Sequence, residues 1–126
     1  MTCVFCKLVK EKSIAQSKCF YAIWDIDPIQ EGHLLVIAKS HRMSIAELSS
    51  EERLDLLDFQ EKLISCMEKQ ASVLGVTVVV NNGNVMDQDL HFHSHLLPRY
   101  VEDGFWDRVQ PAQKIFPKEQ FEADLQ

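Results

Sequence analysis

The sequence predicts an α+β fold built on a mainly antiparallel sheet of about five strands, with one long helix and one short helix. Two observations carry this reading. Short β-branched and aromatic runs follow the order strand, strand, helix, strand, strand, whereas a doubly wound parallel sheet would need more alternating helices. The 126 residues, 46% hydrophobic and 25% charged, suit a single domain spanning 1–126 with an ordinary core.

Each element has a local cause. The aromatic and β-branched run 20–26 reads as a strand. Asp27-Pro28 starts a turn that runs through Gly32. Leu34-Leu35-Val36-Ile37 is a second, largely buried strand, and the tight connection makes the pair an antiparallel hairpin. Ser49 with Glu52 three residues later is a capping-box pattern. Behind it Leu56, Phe59, Leu63, Met67 and Leu74 recur at helical spacing, and Gly75 is a natural stop. The β-branched run 76–80 is a strand, and Asn81-Asn82-Gly83-Asn84 is a turn. Residues 90–97 form one more strand, ended by Pro98. The remainder has no strong period beyond a short helix at 117–124.

Composition narrows the function. The formal net charge is -6, and no Lys/Arg cluster offers the basic face that a nucleic-acid binder uses against phosphates. A small phosphate ligand survives this objection, because a few local donors can hold it. The N-terminal residues lack a charged-then-apolar signal pattern, and no apolar run approaches the roughly 20 residues of a membrane span. A cytoplasmic protein with no membrane partner is expected. In a reducing compartment the close pair Cys3 and Cys6 points to a metal or redox site. Cys19 and Cys66 read as small hydrophobes.

The informative segment is His91-Phe92-His93-Ser94-His95-Leu96-Leu97. A strand alternates its faces, so the three histidines point one way, with neighbouring rings roughly 7 Å apart. Such a face is costly to bury unless the rings are hydrogen-bonded or bind something. All five histidines fall in two segments, 33–41 and 91–95. Metal binding and nucleophilic or acid–base phosphoryl chemistry both fit, and spacing alone does not separate them.

This segment resembles the signature of the histidine-triad (HIT) superfamily. The resemblance extends to Asp25-Ile26-Asp27-Pro28, to Gly32-His33-Leu34-Leu35-Val36-Ile37 with Lys39-Ser40-His41, and to Asn81-Asn82-Gly83. Cys3-Val4-Phe5-Cys6-Lys7 looks like the start of bacterial-type members. The resemblance implies a nucleotide hydrolase or nucleotidyl transferase acting on the α-phosphate of a purine nucleotide conjugate, a nucleoside phosphoramidate or a dinucleoside polyphosphate. His93 would attack phosphorus to form a nucleotidyl-histidine. His95 would face the phosphate oxygens, and His33 would order the network. Asp25 and Ile26 would meet the nucleoside, Asp25 through the ribose hydroxyls, and Asn81 or Asn82 the phosphate. Cys3, Cys6, His41 and His91 would hold structural zinc, and Mg2+ would accompany a polyphosphate substrate. A two-fold homodimer through an edge strand and the long helix is implied as well.

The chain departs from the family pattern at two places. Ser94 fills a usually apolar slot that points away from the histidine face. Before the triad, Val85-Met86-Asp87-Gln88-Asp89 replaces the usual Gly-Gln and small hydroxyl residue. Gln88 would substitute in part, while Asp87 and Asp89 would repel a polyphosphate. These departures raise the alternative of a weakly active nucleotide-binding regulatory module. A third reading is a zinc-binding interaction protein. Gly104-Phe105-Trp106 could line a base pocket, form a dimer contact or simply pack the tail.

Overall fold

A computed structural model of the chain describes residues 3–87 and 89–126. Five antiparallel strands form one sheet in the order β1-β2-β3-β5-β4. They are β1 (Ala15–Gln16), β2 (Phe20–Trp24), β3 (Leu34–Ala38), β4 (Gly75–Val80) and β5 (His93–Arg99), with helices α1 (Val4–Lys12), α2 (Ser50–Glu68) and α3 (Lys118–Asp124). Among the described residues no helix is long and apolar enough to cross a membrane.

Alternation along the strands sorts the two faces. Phe20, Ala22, Leu34, Val36, Phe92 and Leu96 join Leu56 and Phe59 of α2 in the main core. The opposite face carries Leu35 and Ile37, against which Phe5 of α1, Tyr21 and Ile23 pack. The helix α2 opens with the capping box read from the sequence, since Ser49 and Glu52 satisfy each other's backbone N–H.

The elements differ from the sequence reading in several places, and the strand read over 20–26 stops at Trp24, where pairing with β3 ends at Leu34. The helix α1 was not anticipated, nor was the short edge strand β1. The helix α2 ends at Glu68 with Lys69 as its cap, so Leu74 is off the helix and Gly75 opens β4 instead of stopping α2. The sheet captures this segment, because the Leu74 N–H donates to the Arg99 carbonyl at 2.8 Å. The strand β5 starts at His93, since the Phe92 N–H is taken by the Arg42 carbonyl at 2.6 Å. It also runs through Pro98 to Arg99 rather than ending at Pro98. Pairing with β3 stops at Leu96, so a residue lacking an N–H is tolerated beyond that point.

The turn before β3 is fixed against the end of β5. Gly32 has φ +87°, and a Cβ there would lie 2.8 Å from Pro98 Cγ, so only glycine fits. Gln30 Nε2 donates to the Pro98 carbonyl at 2.6 Å, and the Tyr100 hydroxyl donates to the Glu31 carbonyl at 2.6 Å. Arg99 and Asp103 form a bidentate pair beside this turn, at 2.7 and 3.0 Å. The arginine holds the Asp103 carboxyl well below the usual carboxylate range. Phe105 is buried under Arg99, whose guanidinium carbon lies 4.5 Å from the ring centroid. Of the alternatives for 104–106, Phe105 therefore packs the tail.

Candidate active site

Register brings the site together. Ile37 pairs with His93 and Leu35 with His95, while Asp25 donates its N–H to the His33 carbonyl at 3.0 Å. Asp25, His33, His93 and His95 therefore share the face opposite α2. His91 precedes β5 yet keeps the alternation, because Phe92 is in the main core and His91 faces Phe5. The His93 and His95 rings are closer than strand spacing alone suggests, with centroids 4.8 Å apart. The rings lean together in an edge arrangement.

Backbone partners assign the tautomers of His33, His91 and His93, and His33 passes its assignment to His95. Nδ1 of His93 donates to the His91 carbonyl at 2.8 Å, which leaves its Nε2 with a lone pair. His91 Nε2 donates to the Ala38 carbonyl at 2.6 Å, so its Nδ1 is the free base. The Ile29 N–H donates to His33 Nδ1 at 3.1 Å. His33 must then carry its proton on Nε2, which donates to His95 Nδ1 at 2.9 Å. His95 in turn keeps its proton on Nε2.

Burial keeps these rings neutral. It pushes the proton affinities of His33, His91 and His93 below the ordinary histidine value. For His95, burial together with neighbouring His93 and His33 lowers the pKa to about 4. Near neutrality the strand therefore offers one lone pair, on His93, beside one N–H donor, on His95.

A cleft of about 560 Å³ lies against this face. His93, His95, Asp87 and Asn81 line it, as do Asp25 and Ile26, and Phe5, Ile23 and Leu35 supply apolar wall. Ile26 is 91% exposed and open to a ligand. Asn82 serves differently, because its Oδ1 accepts the Ile45 N–H at 2.8 Å. Gln88 lies outside the described residues.

Among the described residues two groups of side chains have metal-ligand spacing. Cys3, Cys6, His41 and His91 bring four ligand atoms within 4.8 Å of one another. Cys3 Sγ and Cys6 Sγ lie 3.1 and 3.4 Å from His91 Nδ1, and Cys6 Sγ lies 3.4 Å from His41 Nδ1. A tetrahedral zinc ion has sulfur–nitrogen edges of about 3.5 Å, and His91 presents an unprotonated nitrogen there. The donor set thus fits a structural metal ion. Asp25, His33 and His95 form the second group. There a metal on His33 Nε2 would force the ring proton onto Nδ1, against the Ile29 N–H. That group is a hydrogen-bond chain.

Two contacts that shape the histidine cluster carry no sequence signal. The Ile29 amide sets the histidine tautomers, and any residue but proline could supply it. Phe5 sits edge-on to His91 and His93, with centroids at 5.6 and 5.0 Å, and only the unanticipated α1 explains that placement.

Residues 7–102 match the HIT domain family. The chain belongs to that family. This HIT protein is 32% identical over 124 residues to the adenosine 5'-monophosphoramidase hnt1 of Schizosaccharomyces pombe, covering 94% of this chain and 90% of that protein. It is 31% identical over 117 residues to the adenosine 5'-monophosphoramidase HNT1 of Saccharomyces cerevisiae, covering 89% and 72%. Among solved structures, a zinc-bound histidine triad family protein from Mycobacterium smegmatis superposes with TM-score 0.74 at 26% identity, covering 89% of this chain and 85% of that one.

Proposed function

We propose that this HIT protein is a nucleotide hydrolase or nucleotidyl transferase that cleaves nucleoside 5'-phosphoramidates through His93. The observation that carries the reading is the pairing of an unprotonated His93 Nε2 with a His95 Nε2–H on one wall of the cleft.

His93 Nε2 attacks the α-phosphorus and the phosphorus–nitrogen bond breaks. The amine leaves with the proton its nitrogen already holds in the zwitterionic form of the substrate. The His95 N–H bonds to the charge that develops on phosphoryl oxygen or leaving atom, a preorganised donor in a partly dry site. Water or another acceptor then displaces His93 from the nucleotidyl-histidine. Asp25 is suited to bonding the ribose hydroxyls and Asn81 to contacting the phosphate region. Asp87, exposed in the cleft wall, puts a negative charge near the leaving group, which favours a phosphoramidate over a dinucleoside polyphosphate.

Zinc held by Cys3, Cys6, His41 and His91 would brace the start of α1 against the strand that carries the nucleophile. The unpaired outer edge of β4 and the exposed Leu54 and Leu57 of α2 support a two-fold homodimer.

The deciding experiment is intact-protein mass spectrometry, without acid, after brief mixing with adenosine 5'-phosphoramidate, alongside AMP release. A nucleotidyl adduct or AMP release that is absent in His93→Ala establishes the reading. Native protein that binds AMP yet gives neither would instead favour a nucleotide-binding regulatory module.

A further inference from the structure

The far end of the cleft holds a feature that phosphoryl chemistry does not use. The helix α1 begins at the histidines, with Phe5 against His91 and His93, and runs away from them along the cleft wall. Its last residue, Lys12, also lines the cleft. At 1.5 Å per residue, Lys12 lies about 10 Å along the helix from Phe5. An extended 5'-nucleotide spans a comparable distance from its phosphorus to the six-membered edge of a purine. Among the described lining residues Lys12 alone is cationic, and among the described residues no carboxylate pairs with it.

Between the two ends Val4, Ile23 and Ile26 supply apolar wall beside the half-exposed indole of Trp24, with Asp25 and Asp27 flanking Ile26. These surfaces suit the faces of a base and do not read its edge. Of the polar lining residues not placed at the ribose or the phosphate, Asp27 lies beside Ile26 and Lys12 closes α1, so a donor for the base edge comes from Lys12. A lysine ammonium offers donors and no acceptor. Guanine and hypoxanthine present O6 and N7, both acceptors, whereas adenine presents N7 beside a 6-amino donor.

We infer that Lys12 makes the cleft selective for 6-oxopurine nucleotides over adenine nucleotides. This rests on the reading of the cleft as a nucleotide site with phosphorus at His93, and it adds the identity of the base. The ammonium is exposed to solvent, so the preference is modest, several-fold to about tenfold.

The test compares kcat/KM for guanosine, inosine and adenosine 5'-phosphoramidates on native protein and on Lys12→Met, which keeps length and removes charge. The expected result is guanosine and inosine together about tenfold above adenosine. In Lys12→Met that ratio should collapse toward one, mainly through KM. Inosine separates recognition of O6 from recognition of the 2-amino group. A native preference for adenosine, or a 6-oxopurine preference that survives Lys12→Met, overturns the inference while leaving the proposed reaction intact. If no phosphoramidate is turned over, the reaction fails and calorimetric titration with GMP, IMP and AMP decides. Tighter GMP and IMP binding that is lost in Lys12→Met supports the inference; equal binding of all three overturns it.

Discussion

The Ile29 amide proton points at Nδ1 of His33, 3.1 Å away, and this one contact propagates to the cleft. It forces the His33 proton to Nε2, which bonds His95 at 2.9 Å, and so decides that His95 presents a donor rather than an acceptor. Glutamine can place an amide N–H near the position of a histidine Nε2; asparagine mimics Nδ1 instead. We therefore expect His33→Gln to retain more turnover than His33→Asn, with the latter losing about 10²-fold in kcat. Steady-state kinetics on a phosphoramidate checks this, and equal losses in the two variants would remove the tautomer argument.

The pH dependence follows from the buried rings. His93 binds its proton less readily than an ordinary histidine and His95 titrates at about 4. The kcat/KM profile should therefore stay flat as pH falls from 7 through the usual histidine range near 6.5, with its acid limb below that range. Stability should behave differently. Between about 6.5 and about 4 the unfolded chain protonates His95 and the native state does not, so the unfolded state binds more protons. Stability is full above this window and declines as pH falls through it, by on the order of 1–3 kcal/mol. Urea unfolding at pH 7 and pH 5 measures the slope, and a more stable protein at pH 5 would contradict it.

Removing the metal, or one of its ligands, should loosen α1. Chelation, or Cys3→Ser, is expected to lower Tm by about 5–10 °C, whereas Cys19→Ser, outside the cluster, should leave the chelator response intact. Differential scanning calorimetry with and without chelator, paired with zinc analysis of the purified protein, reads both. A zinc content near zero after growth in zinc-replete medium would exclude the site.

Ser94 is fully buried, and its hydroxyl has no partner among the described residues. It faces the main core between Val36 and Val80. Deleting the unsatisfied hydroxyl removes a desolvation cost of about 1 kcal/mol or more at the expense of little volume. Ser94→Ala should therefore raise the urea midpoint without changing kcat. A lower midpoint would mean that the hydroxyl is bonded in solution.

Much of this site was legible in the sequence because strand periodicity is local. Alternation alone put His91, His93 and His95 on one face, and the capping pair Ser49 and Glu52 marked the start of α2. What escaped depended on tertiary context. Leu74 continues the helical spacing of α2, yet a sheet edge needing a partner for Arg99 draws it away. Pro98 looks like a strand end, but β3 begins only at Leu34, opposite Leu96, which leaves room for a residue without an N–H. The Ile29 amide has no side-chain signature, and nothing in a nine-residue charged segment revealed that α1 would bring Phe5 to His93 and Lys12 to the cleft lining.

The position of β5 between β3 and β4 has a consequence for how the molecule fails. His95 sits in the part of the sheet paired on both sides, between Leu35 and Val79, so its amide should exchange with deuterium only through global opening, while His93, at the start of β5, pairs with Ile37 of β3. The helix α1 and residues 81–87, outside the paired strands, should exchange sooner. If the cleft binds its nucleotide as proposed, mild denaturant should loosen α1 before β5, so KM should climb at urea concentrations where kcat still holds.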